Sequence, residues 1–119
     1  MPARLKAASP EEVTAAWAEV RGDDAPASAL RLLTKHYLAV LAAAHPGRSV
    51  EVRVPPYAAV QCLGGTRHTR GTPPAVVETD ALTWIRLAGG DLSWAEAVSA
   101  GRVFASGERS DLSALLPLT

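Results

Sequence analysis

A single cysteine, Cys62, stands in the 119-residue chain. No intrachain disulfide can form, and a reducing compartment is expected. The three histidines, His36, His45 and His68, are scattered without neighbouring ligands, so zinc spacing is absent and no metal is expected. No stretch approaches the ~20 apolar residues of a membrane span, and "MPARLKAASPEEV" lacks the unbroken apolar core of a signal peptide. A cytoplasmic protein without an integral membrane segment is the expectation. Charge of one sign is also missing. Lys plus Arg and Asp plus Glu number 12 each, leaving no global field to steer the chain to nucleic acid or anionic lipid. Nor is there a G-x-S-x-G elbow, and "GGTRHTRG" lacks the lysine and hydroxyl ending of a phosphate loop. Cys62 lies in a predicted strand with no visible base, which suits a buried, inert thiol. These absences remove cofactor, nucleotide and nucleophile chemistry from the expectation and leave no catalytic residue in it.

What remains is a regular alternation of helix and strand signals. The length fits one domain over residues 1–119, and no repeat or low-complexity linker divides it. Ser9-Pro10-Glu11-Glu12 is a capping box with proline at the first helical position, predicting a helix from Pro10 to Val20 with Val13, Ala16, Trp17 and Val20 inward. After "GDDAP" a longer helix carries Leu30, Leu33, Tyr37, Leu41 and Ala44 on one face until His45-Pro46-Gly47 stops it. His36 is expected between core and water, and His45 near the helix C-terminus.

The period then changes to two. Val50, Val52 and Val54 alternate with Glu51 and Arg53, the mark of a strand with one wet face. "YAAVQCL" reads as a second strand antiparallel to it, beyond Pro55-Pro56, and "AVVE" as a third. Asp80 or Thr79 caps a helix reaching Ala88. Ser93-Trp94-Ala95-Glu96 is another capping box, "RVFAS" a strand, and Ser110 the cap of a last helix with Leu112, Leu115 and Leu116 inward. The predicted fold is α+β, a mixed, mostly antiparallel sheet of four to five strands covered by helices on one face. The covering helices are rich in alanine. That is compatible with an internal pocket and equally with a tight core.

Two groups of residues are candidates for function. Arg67, His68 and Arg70 lie within four residues of one another, and guanidinium forks match carboxylate or phosphate bidentately. Glu78 or Asp80 is able to absorb the same charges internally. Trp84, Trp94 and Phe104, with Leu87, Val98, Leu112 and Leu116, either line one cavity or form a packed core.

The segment "ETDALTWIRLAGGDLSWAEAVSAGRVFASGERSDLSALLPL" resembles the sterol carrier protein type-two-like family. The shared features are the acidic-capped helix, the glycine break, the tryptophan-containing helix ending at Gly101, and the glycines at 101 and 107 that bracket a strand. "HTRGTPPAVVETD" and "VPPYAAVQ" are similar to a bacterial, actinobacterial branch of that family. The resemblance implies a five-stranded mixed sheet with helices on one side and an apolar tunnel between them. In better-known relatives that tunnel takes sterols, fatty acids or acyl-CoA, and no catalytic residue is implied.

The leading expectation is therefore a carrier of a small apolar or amphipathic ligand. Trp84, Leu87, Trp94, Val98, Phe104, Leu112 and Leu116 would line the cavity, and Arg67, His68 and Arg70 would take a head group. The rival is a structural or protein-interaction module whose cavity is filled. A third reading, an enzyme, requires His68 within reach of Glu78 or Asp80 beside an open pocket.

Overall fold

The computed structural model describes residues 4–64, 74–107 and 110–119. Helix α1 spans Pro10–Ala18. Its box closes as expected, with the Ser9 hydroxyl accepting from the Glu12 amide and the Glu12 carboxylate from the Ser9 amide. Helix α2, Ala27–Ala44, is the longest element, and His45 is its C-cap. Strands β1 (Val50–Val54), β2 (Ala58–Cys62) and β3 (Ala75–Thr79) follow, then α3 (Ala81–Gly89), α4 (Trp94–Ser99) and β4 (Val103–Ser106). Asp80 is the N-cap of α3, accepting from the Thr83 amide, and Gly90 ends that helix with a left-handed backbone at φ 91°.

The strands form one mixed sheet in the order β2-β1-β3-β4. β1 and β2 are antiparallel, with Val52 opposite Val60. β1 and β3 are parallel, and β3 and β4 antiparallel. Parity then sorts the side chains. Val50, Val52, Val54, Cys62, Ala75, Val77 and Thr79 are buried on the helical side. Glu51, Arg53, Gln61 and Glu78 register with one another on the other face, where Arg53 pairs with Glu51. The α+β fold and the wet face of β1 are as the alternation predicts.

The core is continuous from α2 through the sheet to α3. Leu33, Leu38, Leu41, Ile85 and Leu112 are fully enclosed. Trp84 sits at their centre, its indole N–H donating to the Thr34 carbonyl at 3.3 Å. Trp17 donates from its indole to the Tyr37 hydroxyl at 2.8 Å and fastens α1 to α2. Thr34 is fully buried, and its Oγ1 has no hydrogen-bond partner among the described residues. Since a buried polar atom left unpaired costs about 1–3 kcal/mol, Thr34→Val, nearly equal in shape, should raise unfolding stability by about 1 kcal/mol in a denaturant titration.

Two elements differ from the sequence reading. α1 stops at Ala18 rather than Val20, because Arg21 and Asp24 exchange backbone hydrogen bonds in a turn containing Gly22 at φ 59°. The expected last helix is a single 3₁₀ turn, Ser113–Leu115. Ser110 does not cap it: its hydroxyl donates to the Gly107 carbonyl, and Asp111 receives the Ser113 amide instead. Pro117 follows two residues later and supplies no amide to extend the turn. Leu112 is buried without the helix.

Candidate functional site

Among the described residues, the seven expected to line one cavity are not gathered around a common opening. Trp84, Leu87 and Leu112 are enclosed in packed core, while Trp94 and Leu116 pack against its rim. Val98 is 47% exposed, since α4 turns only Ala97 inward. Phe104 is 73% exposed. The reason is parity: Phe104 registers with Glu78, which places it on the wet face, while its neighbour Val103 registers with buried Thr79. Trp84 and Leu112 are thus packed within the core cluster, and the opening of about 380 Å³ beside α3, walled by Leu82, Thr83, Arg86, Ala97 and Ala100, involves none of the seven.

The larger opening lies at the opposite edge of the sheet. A cleft of about 650 Å³ runs between the C-terminal half of α2 and β2, the outermost strand at that side of the described sheet. Ala39, Ala42 and Ala43 form its helical wall, and Ala59, Val60 and Gln61 its strand wall. Leu5 and Arg4 complete the side, and Pro46 and Gly47 close one end. Its volume falls within the ~300–1,000 Å³ of small-molecule sites. The hollow exists because alanines face the strand edge where larger aliphatics would meet it. The signal was present in the run "AVLAAA", but its direction depends on the helix's rotation against β2, which sequence periodicity does not fix. Leu5 and Arg4 carry no sequence signal at all.

The closed end of the cleft is tightly built. The Leu63 amide donates to the His45 carbonyl at 2.7 Å, and the Leu63 carbonyl accepts from the Ser49 amide at 2.9 Å. Held by both, Leu63 takes a left-handed backbone at φ 62°, a conformation costly for a residue with a branched side chain. Residues 65–73 leave from Gly64 and return to Pro74, beside Ala75, whose amide donates to the Ser49 carbonyl at 2.9 Å. Arg67, His68 and Arg70 belong to this connection and lie outside the described residues. Their two ends flank the turn that closes the cleft. Of the proposed partners, Asp80 is already engaged by Thr83 through both carboxylate oxygens, and Glu78 stands on the wet face opposite Phe104.

A short arm precedes α1. The Ala8 amide donates to Nδ1 of His36 at 2.9 Å, which requires that nitrogen to be unprotonated. The Tyr37 ring meets the imidazole edge-on at 4.8 Å between centroids. Burial lowers the His36 pKa below the ordinary value. The folded state therefore favours neutral imidazole. This contribution to stability is complete above the unfolded histidine pKa of ~6.5 and is lost as pH falls through the lower folded value. Glu12, Glu96 and Asp111, held low by hydrogen bonds from Ser9, Ser93 and Ser113, respond only in the acidic carboxylate range. The unfolding midpoint should accordingly drop as pH falls below about 6.5, and His36→Leu should flatten the profile below that pH while lowering it throughout.

Cys62 is fully buried, and desolvation pushes its thiol up to about 11. It is an inert packing group, as read from the sequence. Among the described residues no three His, Cys, Asp or Glu side chains gather as a metal site, and no helix is long and apolar enough to cross a membrane. No curated protein is matched by the sequence. Residues 26–118, from the threshold of α2 to the C-terminal turn, match the family described as "Bacterial SCP ortholog". The match covers the whole sheet, the cleft's helical and strand walls, and the helices that pack beneath it, and the chain belongs to the bacterial SCP ortholog family.

Proposed function

We propose that the protein binds a small apolar or amphipathic molecule, an acyl chain or similar lipid, in the cleft between α2 and β2, and that it is a carrier rather than a catalyst. The observation that carries this reading is the 650 Å³ alanine-walled opening at the sheet edge, in a chain of the bacterial SCP ortholog family. A linear tail suits it better than a sterol, because the walls are a helix and one strand edge. Burying ~8 methylenes at ~0.8 kcal/mol each gives ~6 kcal/mol gross. Ordering and association costs remove part of that, so a polar anchor is needed for micromolar affinity. Arg67, His68 and Arg70 are proposed to contribute to that anchor, without excluding other cations of the cleft, because the chain ends at Gly64 and Pro74 flank its closed end.

The test is a titration of the full chain with dodecanoate and with dodecanol, repeated with Ala42→Phe. Ala42 is half-buried in the cleft wall, so the phenyl ring fills the opening. Both ligands should weaken at least tenfold, with the unfolding midpoint little changed. Equal affinities for wild type and Ala42→Phe would place any binding elsewhere.

A second reading has one observation in its favour. Phe104, on the edge strand β4, offers an aromatic ring to solvent, as a surface for another protein would. Failure of the wild-type chain to bind either ligand would turn the assignment to that reading.

A further inference from the structure

The arm of residues 4–8 follows α2 along its length. Lys6, Ala7 and Ala8 lie against Arg31, Leu32 and Lys35, whereas Arg4 and Leu5 lie with Ala39, Ala42, Ala43, Pro46 and Gly47. The chain thus runs from His36, where Ala8 is fastened, toward the C-terminal end of the helix. Its far anchor is the capping box of α1, which fixes Ser9. Leu5 is half-buried and packs on the core, and Arg4 is exposed with no protein partner among the described residues. A segment that served only to lead into α1 would have no reason to be tied at Ala8 and seated at Leu5. The arm also lies outside residues 26–118, so the wall that it supplies is an addition to the region that the family match covers.

We infer that residues 4–8 form a specificity arm of the cleft, in which Leu5 completes the apolar wall and Arg4 receives the acid head group of a single-chain carboxylate. The inference rests on the α2–β2 cleft being the ligand site. Arg4 suits the role because its guanidinium has no partner among the described residues and it lines the same cleft as Pro46 and Gly47. A tail laid between the alanines of α2 and the edge of β2 then brings its carboxylate to a bidentate fork. An uncharged hydroxyl can accept only an ordinary hydrogen bond there, without the charge-assisted bidentate pair. The arm's position depends on the Ala8–His36 hydrogen bond, so His36 acts here as a positioning residue, without touching the ligand.

The experiment compares dodecanoate with dodecanol by calorimetric titration at neutral pH and low salt, using the full chain and the variants Arg4→Ala, Arg4→Lys and His36→Leu. Arg4→Ala should weaken dodecanoate about tenfold and dodecanol less than about twofold, the loss expected for one charge-assisted contact. Arg4→Lys should restore part of the difference, since it keeps the charge and loses the fork. His36→Leu should weaken both ligands and speed hydrogen exchange at the Ala8 amide, without abolishing the preference for dodecanoate. Equal effects of Arg4→Ala on the two ligands, or no effect on either while the wild type binds both, would overturn the arm and leave the cleft. Absence of binding by the wild-type chain would overturn the cleft as well, and the arm with it. Arg4 is exposed, so a folding defect does not compete as an explanation for its variants, and an unchanged unfolding midpoint confirms that for Arg4→Ala and Arg4→Lys; His36→Leu, which lowers the midpoint, is titrated at a temperature where it is fully folded.

Discussion

Trp84→Ala should cost about 4 kcal/mol, read as a fall in denaturant midpoint at unchanged slope. Trp84 is 1% exposed and is the largest fully enclosed side chain of the core. Its removal leaves a void bounded by α2, the sheet and α3, which are clamped to one another elsewhere and have little freedom to collapse. The indole also donates to the Thr34 carbonyl, and that additional hydrogen bond would be lost with it. A total stability of about 5–15 kcal/mol is usual for such a domain, so the variant would be partly unfolded at ambient temperature. Trp84→Phe separates the two effects. It keeps most of the volume and loses the hydrogen bond, and should cost about 1–2 kcal/mol. If Trp84 instead lined a hollow, both substitutions would be mild, and the reading of Trp84 as packed core would fail.

That outcome bears on how much the sequence disclosed. The elements were legible because each has a local cause: the two Ser-x-x-Glu boxes, the Asp80 cap, the valine alternation of β1, and the glycine stops at 90 and 101. The family resemblance, drawn from the spacing around Gly101 and Gly107, agrees with the match to residues 26–118. The site was less legible. Trp84, Leu87 and Leu112 are expected as cavity lining and are buried in the structure, and an inward aromatic reads the same from sequence whether it meets solid core or open space. Phe104 was misplaced by one step of strand parity. That parity is set by the register of β4 on β3, a long-range pairing with no trace in the four residues of the strand. The last helix failed for a local reason: Ser110 and three leucines imitate a capped helix, but Pro117 and the Ser110 bond to Gly107 leave room for one turn only. The cleft itself depends on how α2 is rotated against an edge strand, which is tertiary information.

Gly47→Ala should be comparably destructive, at about 4 kcal/mol, although Gly47 is neither core nor helix. Two costs combine there. Its backbone lies at φ 150°, where an L side chain is strained by about 1–3 kcal/mol. A Cβ at that position would also stand 2.1 Å from the Leu63 carbonyl carbon and 2.2 Å from the Gly64 nitrogen. These are backbone atoms, pinned by the hydrogen bonds of Leu63 with His45 and Ser49, so no rotamer change relieves the contact. The chain must shift, breaking at least one of those bonds, for about 1–3 kcal/mol more. Gly64→Ala is the internal comparison. Among the described residues its Cβ would meet the Pro46 carbonyl oxygen at 3.6 Å, an ordinary contact, and the change should cost less than about 1 kcal/mol. A midpoint difference of that size between two glycines on either side of one crossing would show that the end of the cleft is fixed by backbone approach. Because Gly47 lines the cleft and Gly64 begins the connection to Arg67, the same shift should move the proposed anchor away from the tail. Any Gly47→Ala protein that stays folded should therefore lose its preference for dodecanoate over dodecanol, and an undiminished preference would separate the turn from recognition.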